Sequence, residues 1–329
     1  MELKKTILII GVNGQDGSIL SSIYLSKGYD VIGTIRSNDS DVSRLKYLSI
    51  YKEITVELIN PLIESEISDC IAKYQPKIIF PLGSLTSVGL SFHKPKESLE
   101  SNILLIQNVC ESVKNINKKI KIFNPLSSEM YGVQNESIHI DLIPRPVSPY
   151  GIAKKTCLDI GRFYSNHHNL RIYNIVLFNH ESELRSRNFV TRKIIETAID
   201  IRKGLKEIIN LGNLNISRDW GCAYEFCDFI SQIMDKETNC DLVLGTGETN
   251  SLLDFVEYAF EINNLNYKDY LLIDKSLVRN NDIQFNSANT DRLEKLIGST
   301  PKIKMRELVL KITKKIDNEN WNRLQGFNW

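Results

Sequence analysis

Short apolar runs rich in branched residues alternate with longer amphipathic stretches through the first half of the chain. The run TILIIG at residues 6–11 is apolar throughout and ends in glycine, which is typical of a parallel strand buried on both faces. The stretch after it has helical spacing and stops at Gly28. Further strands are predicted at 30–36, 54–60, 77–83, 119–125 and 171–178, and helices at 98–115 and 148–168.

This alternation predicts an α/β fold with a Rossmann-type, doubly wound parallel sheet. After residue 178 the regular alternation of strand and helix patterns ends, and a polar loop is predicted at 179–188 and a polar turn at 213–221. In this half a strand is predicted at 207–212, and helices at 189–204, 222–236, 252–264, 290–298 and 305–316. No linker separates the halves, so residues 1–178 are expected to form a dinucleotide-binding domain with the catalytic residues. Residues 179–329 are expected to form mainly a smaller substrate-binding lobe, with some segments returning to the first domain.

The bulk composition narrows the class of protein. Of 329 residues, 42% are hydrophobic and 25% are charged, with a formal net charge of +1, which argues against nucleic-acid binding by phosphate neutralisation. No apolar run reaches the roughly 18 to 20 residues that a membrane span needs, and the N-terminal run continues into GVNG without a cleavage site. We expect a cytoplasmic protein without a membrane or nucleic-acid partner.

The six cysteines carry no metal-binding or disulfide signal. They lie at positions 70, 110, 157, 222, 227 and 240. They form neither a Cys-x-x-Cys pair nor a metal-ligand spacing with histidine. Such thiols are typical of small buried hydrophobic side chains in a reducing compartment, and no metal site is predicted.

A glycine-rich loop joins the first predicted strand to the first predicted helix. Its sequence GVNGQDG places Gly11, Gly14 and Gly17 where the turn must be tight, the backbone must approach a pyrophosphate and the helix must pack close to the strand. The N–H groups at the helix N-terminus then face the phosphates. Tight turns use glycine for other reasons too, but the strand before and the helix after it favour dinucleotide binding.

The end of the second strand indicates which dinucleotide is bound. A residue at this place meets the adenosine ribose, where an acidic side chain accepts the 2′-hydroxyl of NAD. Here the sequence is GTIRS, with Arg36 and Ser37. A guanidinium and a hydroxyl group suit a 2′-phosphate, so the sequence favours NADP over NAD. The alternative for Arg36 is a solvated surface charge.

Two segments in the middle of the chain carry candidate catalytic groups. Tyr150 and Lys154 in SPYGIAKK lie one helical turn apart, so the ammonium group can approach the phenol and lower its pKa. The phenolate then accepts a proton from a sugar or alcohol hydroxyl. Ser127, at the end of a predicted strand in NPLSSEMYG, can form a hydrogen bond with the same oxygen. Glu129, two residues later, is a carboxylate that hydride transfer alone does not need.

These segments carry a resemblance to a known family. Its motifs are GVNGQDGS, SSEMYG, SPYGIAK, LFNHES, FVTRKI, GNLNISRDWG and LGTGET, in this order. With them the chain resembles an extended short-chain dehydrogenase/reductase and, more narrowly, the GDP-mannose 4,6-dehydratase family, over nearly its whole length. The resemblance implies an NADP-dependent lyase that acts on a GDP-sugar and works as a homodimer or homotetramer.

The resemblance also assigns a task to Glu129, because related sugar epimerases have no acidic residue there. It implies that Tyr150 takes the proton of the sugar 4-hydroxyl while a hydride leaves C4 for NADP⁺. The 4-ketone acidifies the C5 proton, Glu129 removes it, water leaves from C6, and the hydride returns to C6. The implied product is a 4-keto-6-deoxy sugar for surface polysaccharide synthesis. The alternative for Glu129 is a structural or helix-capping acid.

Matching motifs imply the binding residues. The implied catalytic residues are Ser127, Glu129, Tyr150 and Lys154. The implied cofactor contacts are Gly11, Asn13, Gly14, Gln15, Asp16, Gly17, Arg36, Asn60, Leu82, Ser84, Tyr150, Lys154, His180 and Arg185, the last also a candidate contact to a neighbouring subunit's site. The implied nucleotide-sugar contacts are Ser128, Asn179, Lys193, Arg218 and Arg279. Arginine and lysine are the side chains that a sugar diphosphate needs.

The chain departs from the family at several of these places. PLGSLTSVGLSF replaces a stretch with glutamine and histidine, Asn60 replaces an aspartate, and HESELRSRN lacks a double arginine. The sugar therefore stays open among GDP-mannose, a GDP-heptose and another nucleotide hexose. Two other functions stay open: a nucleotide-sugar 4-epimerase or C4 dehydrogenase in which Glu129 is idle, and a catalytically silent cofactor-binding scaffold.

Overall fold

Strands and helices alternate along the computed structural model, which describes residues 5–277 and 282–318. Within these residues the strands are β1 (Thr6–Ile10), β2 (Asp30–Ile35), β3 (Thr55–Leu58), β4 (Ile78–Pro81), β5 (Lys121–Ser127), β6 (Arg171–Leu177), β7 (Asn179–Glu181), β8 (Ile209–Leu211), β9 (Ser217–Cys222), β10 (Asp241–Leu244), β11 (Thr249–Ser251), β12 (Leu271–Ile273) and β13 (Phe285–Asn286). The α-helices are α1 (Gln15–Ser26), α2 (Ser43–Tyr47), α3 (Glu64–Tyr74), α4 (Val88–His93), α5 (Pro95–Ile116), α6 (Pro149–His168), α7 (Val190–Arg202), α8 (Ala223–Asp235), α9 (Leu252–Glu261), α10 (Asp291–Ile297) and α11 (Met305–Asp317).

The central sheet positions the candidate site. In the described part of the chain it has seven strands in the order β10-β6-β5-β4-β1-β2-β3, and every neighbouring pair is parallel. Ile7, Leu8 and Ile9 of β1 are fully enclosed, as expected of a central strand covered on both faces. The predicted Rossmann-type parallel sheet is confirmed, and β1–β6 correspond to the six strands predicted before residue 179.

Helices pack along this sheet in layers. Helices α3, α5 and α6 lie side by side, and α1 packs against α8. Helix α5 presents an apolar stripe, in which the buried residues Leu105, Val109 and Val113 recur every four residues. The helices predicted from periodicity are confirmed by α1 and by α5–α11, with ends that differ by a few residues.

A smaller lobe is built from the second half of the chain. Helices α7, α9 and α11 pack together, and β8 pairs with β12. The described residues also form a four-stranded sheet around β9, which runs parallel to β7 and β13 and antiparallel to β11. In contrast, β10 joins the central sheet beside β6. Among the described residues, the second half of the chain therefore contributes one strand to the central sheet and all the strands of the two smaller sheets.

Two segments of this lobe differ from the sequence-based prediction. The predicted loop at 179–188 begins with β7, and the predicted polar turn at 213–221 runs into β9, so the prediction is wrong over these strands. Two charged residues of β9, Arg218 and Asp219, are buried with partners. Asp219 is fully enclosed because its carboxylate accepts hydrogen bonds from the backbone N–H groups of Thr246 and Gly247. Pairing with distant strands, which a local pattern does not reveal, makes these residues extended.

The described residues contain neither a membrane span nor a metal cluster. Within them, no helix combines the length and apolar character needed to cross a membrane. Nor do residues 5–277 and 282–318 bring together three or more histidine, cysteine, aspartate or glutamate side chains that could hold a metal ion. The six cysteines are free thiols, and five of them are buried.

Candidate active site

The glycine-rich loop connects β1 to α1 at the carboxyl end of the central sheet. Gly11 has φ +85°, and a Cβ there would lie 2.6 Å from Gly83 Cα, so the loop packs against the segment after β4. A Cβ on Gly17 would lie 2.6 Å from the Gly11 carbonyl oxygen, so α1 approaches the strand closely. Gly14 precedes α1, and among the described residues no side chain caps its first turn. Backbone N–H groups are therefore available to the phosphates of a dinucleotide.

A buried ion pair joins this loop to the segment after β6. His180 Nε2 lies 2.9 Å from Asp16 Oδ2, and His180 Nδ1 lies 2.7 Å from the Phe178 carbonyl oxygen. Gln15 adds two hydrogen bonds to the same segment. Its Nε2 donates to the His180 carbonyl oxygen at 3.1 Å, and its Oε1 accepts from the Ser182 hydroxyl at 2.8 Å. The structure thus brings three of the predicted cofactor residues together.

Both partners of this ion pair are shifted toward their charged forms. Burial alone raises the pKa of Asp16, but the charge and hydrogen bond of His180 and a hydrogen bond from Gln15 outweigh it and hold the pKa at about 2. Burial lowers the pKa of His180, but the Asp16 carboxylate outweighs it, and the pKa lies above the ordinary 6.5. The glycine-rich loop is therefore held by opposite charges.

Arg44, which the sequence analysis does not single out, connects the same two segments a second time. Its buried guanidinium donates from Nε to the Leu184 carbonyl oxygen at 2.7 Å and from NH1 to the Asn13 carbonyl oxygen at 3.1 Å. Asn13 in turn donates from Nδ2 to the Asp41 carbonyl oxygen at 3.1 Å. The stretch SDVSRLKY has no pattern that distinguishes a buried arginine from a solvated one, so this role was not predictable.

Arg185 lies beside both the ion pair and the candidate catalytic tyrosine. Its Nε is 3.2 Å from Glu181 Oε2, and its guanidinium carbon lies 3.6 Å from the centre of the Phe189 ring. Its positive charge acts to lower the pKa values of both Asp16 and Tyr150. Arg185 is therefore near the glycine-rich loop and the catalytic helix of its own chain.

Four predicted cofactor residues lie at the carboxyl ends of neighbouring strands. Arg36 follows β2, Asn60 follows β3, and Leu82 and Ser84 follow β4. The Arg36 guanidinium donates to the Gly83 carbonyl oxygen, although β1 separates β2 from β4 in the sheet. The Asn60 side chain is exposed and accepts a backbone N–H at 3.1 Å. These residues line the edge of the sheet where a doubly wound fold binds its ligand.

The catalytic candidates Ser127, Tyr150 and Lys154 meet where β5 ends beside α6. Tyr150 and Lys154 lie on consecutive turns of α6, and the Lys154 ammonium group is 5.6 Å from the centre of the Tyr150 ring. Lys154 Nζ donates to the Pro125 carbonyl oxygen of β5 at 2.7 Å, which ties the helix to the strand. Ser127, two residues further along β5, lies close enough to the Tyr150 hydroxyl group for a hydrogen bond that favours the phenolate. All three catalytic candidates are buried.

Burial dominates the protonation of these groups. It raises the pKa of Tyr150 above the ordinary 10, and the hydrogen bond with Ser127, which favours the phenolate, offsets only part of this effect. Burial also lowers the pKa of Lys154. Burial therefore sets the direction of the Tyr150 shift and favours the phenol over the phenolate. The predicted lowering of this pKa by Lys154 stays a prediction.

Glu129 belongs to a 3-10 helix, Ser128–Tyr131, that follows β5 directly. The Ser127 hydroxyl accepts a hydrogen bond from the Glu129 backbone N–H at 3.3 Å and so caps this helix. The helix places the Glu129 carboxylate near enough to Tyr150 for its negative charge to raise the pKa of the phenol. The structure therefore brings the carboxylate to the same site as the serine, the tyrosine and the lysine.

Asn286 is a second residue that sequence reasoning misses. Its Nδ2 donates to Ser128 Oγ at 3.0 Å, and both side chains are buried. Asn286 Oδ1 is enclosed without a hydrogen-bond partner among the described residues. Asn286 lies on β13, in register with Arg218 of β9. It therefore connects the predicted substrate contact Ser128 to the smaller lobe, and the stretch QFNSANT around it carries no motif.

The other predicted nucleotide-sugar contacts lie on separate elements of the smaller lobe. Asn179 lies on β7 and Arg218 on the adjacent strand β9. Lys193 lies on α7, and its Nζ donates to the Asn210 carbonyl oxygen of β8 at 2.7 Å. Arg279 lies outside the described residues. The structure thus brings Asn179 and Arg218 onto one sheet and places Lys193 beside a different strand.

The Arg218 guanidinium binds groups of the protein itself. Its NH1 donates to the Ile283 carbonyl oxygen at 2.6 Å, and its NH2 lies 3.2 Å from Asp282 Oδ1. The two charged side chains are only 6% and 13% exposed, so the pair is shielded from water. To bind a diphosphate, Arg218 must exchange the Asp282 carboxylate for phosphate oxygens.

Comparison with known proteins identifies relatives over most of the chain. A family model described as GDP-mannose 4,6 dehydratase matches residues 8–312. The GDP-mannose 4,6 dehydratase of Dictyostelium discoideum is 30% identical over 95% of this chain and 96% of that protein. GDP-mannose 4,6 dehydratase 1 of Arabidopsis thaliana is 30% identical over 93% of this chain and 88% of that protein. The Homo sapiens protein is 33% identical over 78% of this chain and 72% of its own.

Solved structures with the same fold include enzymes of nucleotide sugars. A UDP-glucose 4-epimerase with UDP-glucose from Thermotoga maritima has a TM-score of 0.82 at 19% identity, over 97% of this chain and 99% of that chain. A dTDP-glucose 4,6-dehydratase from Bacillus anthracis in complex with NAD has a TM-score of 0.82 at 16% identity, over 96% and 98%. At these identities the likeness shows the fold. Because the family model matches nearly the whole length, the chain belongs to the GDP-mannose 4,6-dehydratase family.

Proposed function

We propose that the protein is an NADP-dependent 4,6-dehydratase of a GDP-sugar, either GDP-mannose or a GDP-heptose. The observation that carries the proposal is the position of Glu129 directly after β5 and against the start of α6, where a Cβ on Gly151, next to Tyr150, would lie 2.7 Å from the Glu129 carbonyl oxygen. Ser127, Tyr150 and Lys154 suit proton transfer at the sugar carbon that is oxidised, C4. The additional carboxylate, Glu129, supplies a base for the next carbon, C5. This combination matches the removal of water across C5 and C6 of a hexose.

The residues at the sheet edge fit a nicotinamide dinucleotide. The first turn of α1 offers its backbone N–H groups to the pyrophosphate, because Gly14 brings no side chain to cap them. Arg36 stands where a 2′-phosphate needs a cation, which favours NADP over NAD. Lys154 retains donors beyond its bond to Pro125 that can hold a ribose hydroxyl group. When bound, the nicotinamide takes a hydride from C4 of the sugar and gives one to C6.

Tyr150 acts on the hydroxyl group at C4. Its oxygen accepts the hydroxyl proton as the C4–H bond breaks and a carbonyl forms at C4. Ser127, which lies beside Tyr150, can turn its hydroxyl group to the same substrate oxygen, donate to it and fix its position. The Lys154 ammonium group stabilises the Tyr150 phenolate that accepts this proton, and its bond to Pro125 keeps the helix against β5.

Glu129 acts at the next carbon. The C4 ketone acidifies the C5 proton, and the Glu129 carboxylate removes it. The protonated Glu129 then gives a proton to the hydroxyl group on C6, which leaves as water when the C6–O bond breaks. C6 gains the hydride, and C5 gains a proton equivalent to the one that Tyr150 took from the C4 hydroxyl. Each turnover is redox neutral and releases one water.

The smaller lobe carries the groups for the nucleotide diphosphate. Lys193 on α7 is partly exposed, so its ammonium group can reach a phosphate. Asn179 and Arg218 lie on adjacent strands whose ends approach the catalytic residues through Asn286 and Ser128. We therefore place the sugar diphosphate between this lobe and the carboxyl end of β5.

Mass spectrometry tests the proposed function. GDP-mannose and a GDP-heptose, each incubated with the protein and NADP⁺, are expected to show which one loses water, about 18 mass units, without net NADPH. Glu129→Gln is expected to abolish this loss and to retain C4 oxidation, visible as NADPH absorbance in a single turnover. A product of unchanged mass would indicate the 4-epimerase. Bound cofactor without turnover of any nucleotide sugar would indicate a silent scaffold.

We also propose that the protein is a homodimer or homotetramer joined through helices that flank the sheet. Ile152 and Phe163, about three turns apart on α6, are 47% and 49% exposed. Phe92 of α4, a helix that packs against α6, is 46% exposed. Exposed apolar side chains on neighbouring helices favour a contact between copies. Light scattering is expected to give a dimer or tetramer mass for the protein and a smaller mass for Phe163→Glu.

A further inference from the structure

Two buried asparagines form a hydrogen-bond circuit that begins and ends on α6. Asn124 of β5 donates from Nδ2 to the Cys157 carbonyl oxygen of α6 at 2.9 Å and to Asn174 Oδ1 at 2.8 Å. Asn174 of β6 donates from Nδ2 to Asp241 Oδ1 of β10 at 2.7 Å. The other oxygen of Asp241 accepts from Arg162 Nε of α6 at 2.9 Å. The circuit therefore fastens one helix to three neighbouring strands of the central sheet.

The local sequence lets the amide pair reach the helix backbone. Asn124 and Asn174 are direct register partners on parallel strands, and each is 1% exposed. Gly161 of α6 faces them: a Cβ there would collide with Asn174 Oδ1 and lie 2.7 Å from Asn124 Nδ2. A glycine inside a helix costs about 1 kcal/mol relative to alanine. This cost is offset because the two enclosed amides keep their hydrogen-bond partners.

The same strand and helix carry the catalytic groups. Asn124 is followed on β5 by Pro125, whose carbonyl oxygen accepts from Lys154 Nζ. Cys157 follows Lys154 on α6 by one turn, about 4.5 Å of rise. The bond from Asn124 to Cys157 and the bond from Lys154 to Pro125 are therefore adjacent rungs between β5 and α6. These two bonds limit how far α6 can slide along β5, the strand that ends at the reacting groups. About 1 Å of misplacement of such groups can lower the rate a hundredfold.

We propose that Asn124 and Asn174 are positioning residues of the reaction. Their amide pair holds α6 in the register on β5 that puts the Tyr150 hydroxyl group beside Ser127. Neither asparagine is assigned a contact with substrate or cofactor. The inference rests on the proposed function for the choice of turnover assay, whereas the placement of Tyr150 beside Ser127 can be measured without it.

Removal of the amide donors tests this role kinetically. Asn124→Leu and Asn174→Leu are each expected to lower kcat at least about tenfold, with KM within about threefold, because the proposed diphosphate contacts Asn179, Lys193 and Arg218 lie on other elements. The losses should be non-additive in the double variant, since both changes break one circuit. Asn263→Leu is the matched control. Asn263 is also 1% exposed and donates to the Ala259 carbonyl oxygen of α9 at 2.8 Å, and kcat should stay within about twofold.

A spectroscopic measurement separates this inference from the proposed function. The ¹³Cζ resonance of Tyr150, assigned by its loss in Tyr150→Phe, reports the hydrogen bonding of the phenol. It is expected to move in Asn124→Leu in the same direction as in Ser127→Ala, and to stay in place in Asn263→Leu. If Asn124→Leu does not fold, Gly161→Ala tests the same contact, because its methyl group displaces the amide pair while both amides remain. The same movement of the resonance is expected.

The outcomes are distinguishable. Unchanged kcat and an unchanged Tyr150 resonance in folded Asn124→Leu overturn the inference. An equal fall of kcat in Asn263→Leu overturns it too, because the loss is then a general effect of removing a buried amide. Absence of turnover in the unchanged protein overturns the proposed function instead. The Tyr150 resonance alone then decides whether the amide pair positions the phenol.

Discussion

Breaking the Asp16–His180 ion pair should destabilise the protein in a pH-dependent way. His180 Nε2 lies 2.9 Å from Asp16 Oδ2, and the side chains are only 10% and 19% exposed, so salt and water screen the pair weakly. The test uses Asp16→Asn, His180→Gln and the double variant, which remove the charges and approximately preserve the side-chain shapes. The free energy of unfolding is compared among these variants and the unchanged protein.

The pKa of Asp16 sets the expected magnitude. Its fall from 3.8 to about 2 corresponds to about 2 kcal/mol in favour of the ionised carboxylate. That contribution is present above pH 3.8 and is lost as the pH falls toward 2. The pKa of His180 is raised above 6.5, so its contribution is present below pH 6.5 and is lost as the pH rises through the raised pKa. The pair should therefore stabilise the protein most between pH 3.8 and 6.5.

Urea unfolding of the four proteins measures this contribution. A double-mutant cycle gives the coupling free energy between Asp16 and His180. We expect about 2 kcal/mol near pH 5.5 and a smaller value at a pH above the raised pKa of His180. The exposed pair Lys155–Asp159 serves as the control. Its charged atoms are 2.6 Å apart, but the side chains are 40% and 58% exposed, so its coupling should be several-fold smaller and equal at both pH values.

Two results would refute this reasoning. One is a coupling below about 0.5 kcal/mol near pH 5.5, which would mean that the two charges attract each other no more strongly than an exposed pair does. The other is a coupling that does not fall as the pH is raised through the alkaline range, which would mean that it does not depend on the positive charge of His180. Either result would leave Gln15 and Arg44 as the groups that hold the glycine-rich loop.

Three further changes test separate parts of the structure. Lys154→Met removes the bond to Pro125 and the charge beside the phenol, so kcat should fall at least about a hundredfold in steady-state assays, with the sugar KM little changed. Arg36→Asp should weaken NADP binding about tenfold or more and improve NAD binding in fluorescence titrations, and equal effects on both cofactors would contradict a 2′-phosphate contact. Gly132→Ala should destabilise the protein by about 2 kcal/mol or more, because Gly132 has φ +63° and a Cβ would overlap a backbone carbonyl oxygen. Gly28→Ala, at φ +78° with open space around it, should cost only about 1 kcal/mol. Thermal unfolding of both variants measures this difference.

The central sheet was predictable because burial on both faces leaves a local signal. The strand β1 has the sequence TILII, and four of its five residues are buried. Its apolar run can therefore be recognised without knowing which strands lie beside it. The turn that follows was predictable for a similar reason. Gly11 and Gly17 lie where the backbone packs closely against other backbone, and the spacing of the glycines predicts this close packing.

The smaller sheet was not predictable in the same way. Residues 179–181 and 217–222 become strands because they pair with each other across a long stretch of chain. Their sequences are polar, and their buried groups are satisfied by partners that only the fold supplies. Arg218 illustrates the point, because a motif marks it as a phosphate ligand but the structure pairs it with Asp282.

The placement of the proposed catalytic residues was predictable, but their environment was not. The spacing of Tyr150 and Lys154 fixes their place on consecutive turns of α6. The pKa of Tyr150 depends on burial, which comes from every element packed around it, and burial moves it in the opposite direction to the prediction. Arg44 and Asn286 were missed for the same reason. Their importance lies in which backbone or side-chain groups they meet, and single-residue patterns do not encode this.

The segment after β6 explains how the two parts of the protein can act on one substrate. Phe178 alone separates β6 of the central sheet from β7 of the smaller sheet, and its N–H donates to the Leu244 carbonyl oxygen of β10. Side chains alternate along a strand, so Asn179 and His180 point to opposite faces. His180 holds the glycine-rich loop, whereas Asn179 is a proposed sugar contact. A displacement of this short segment would therefore move both the glycine-rich loop and the proposed sugar contact.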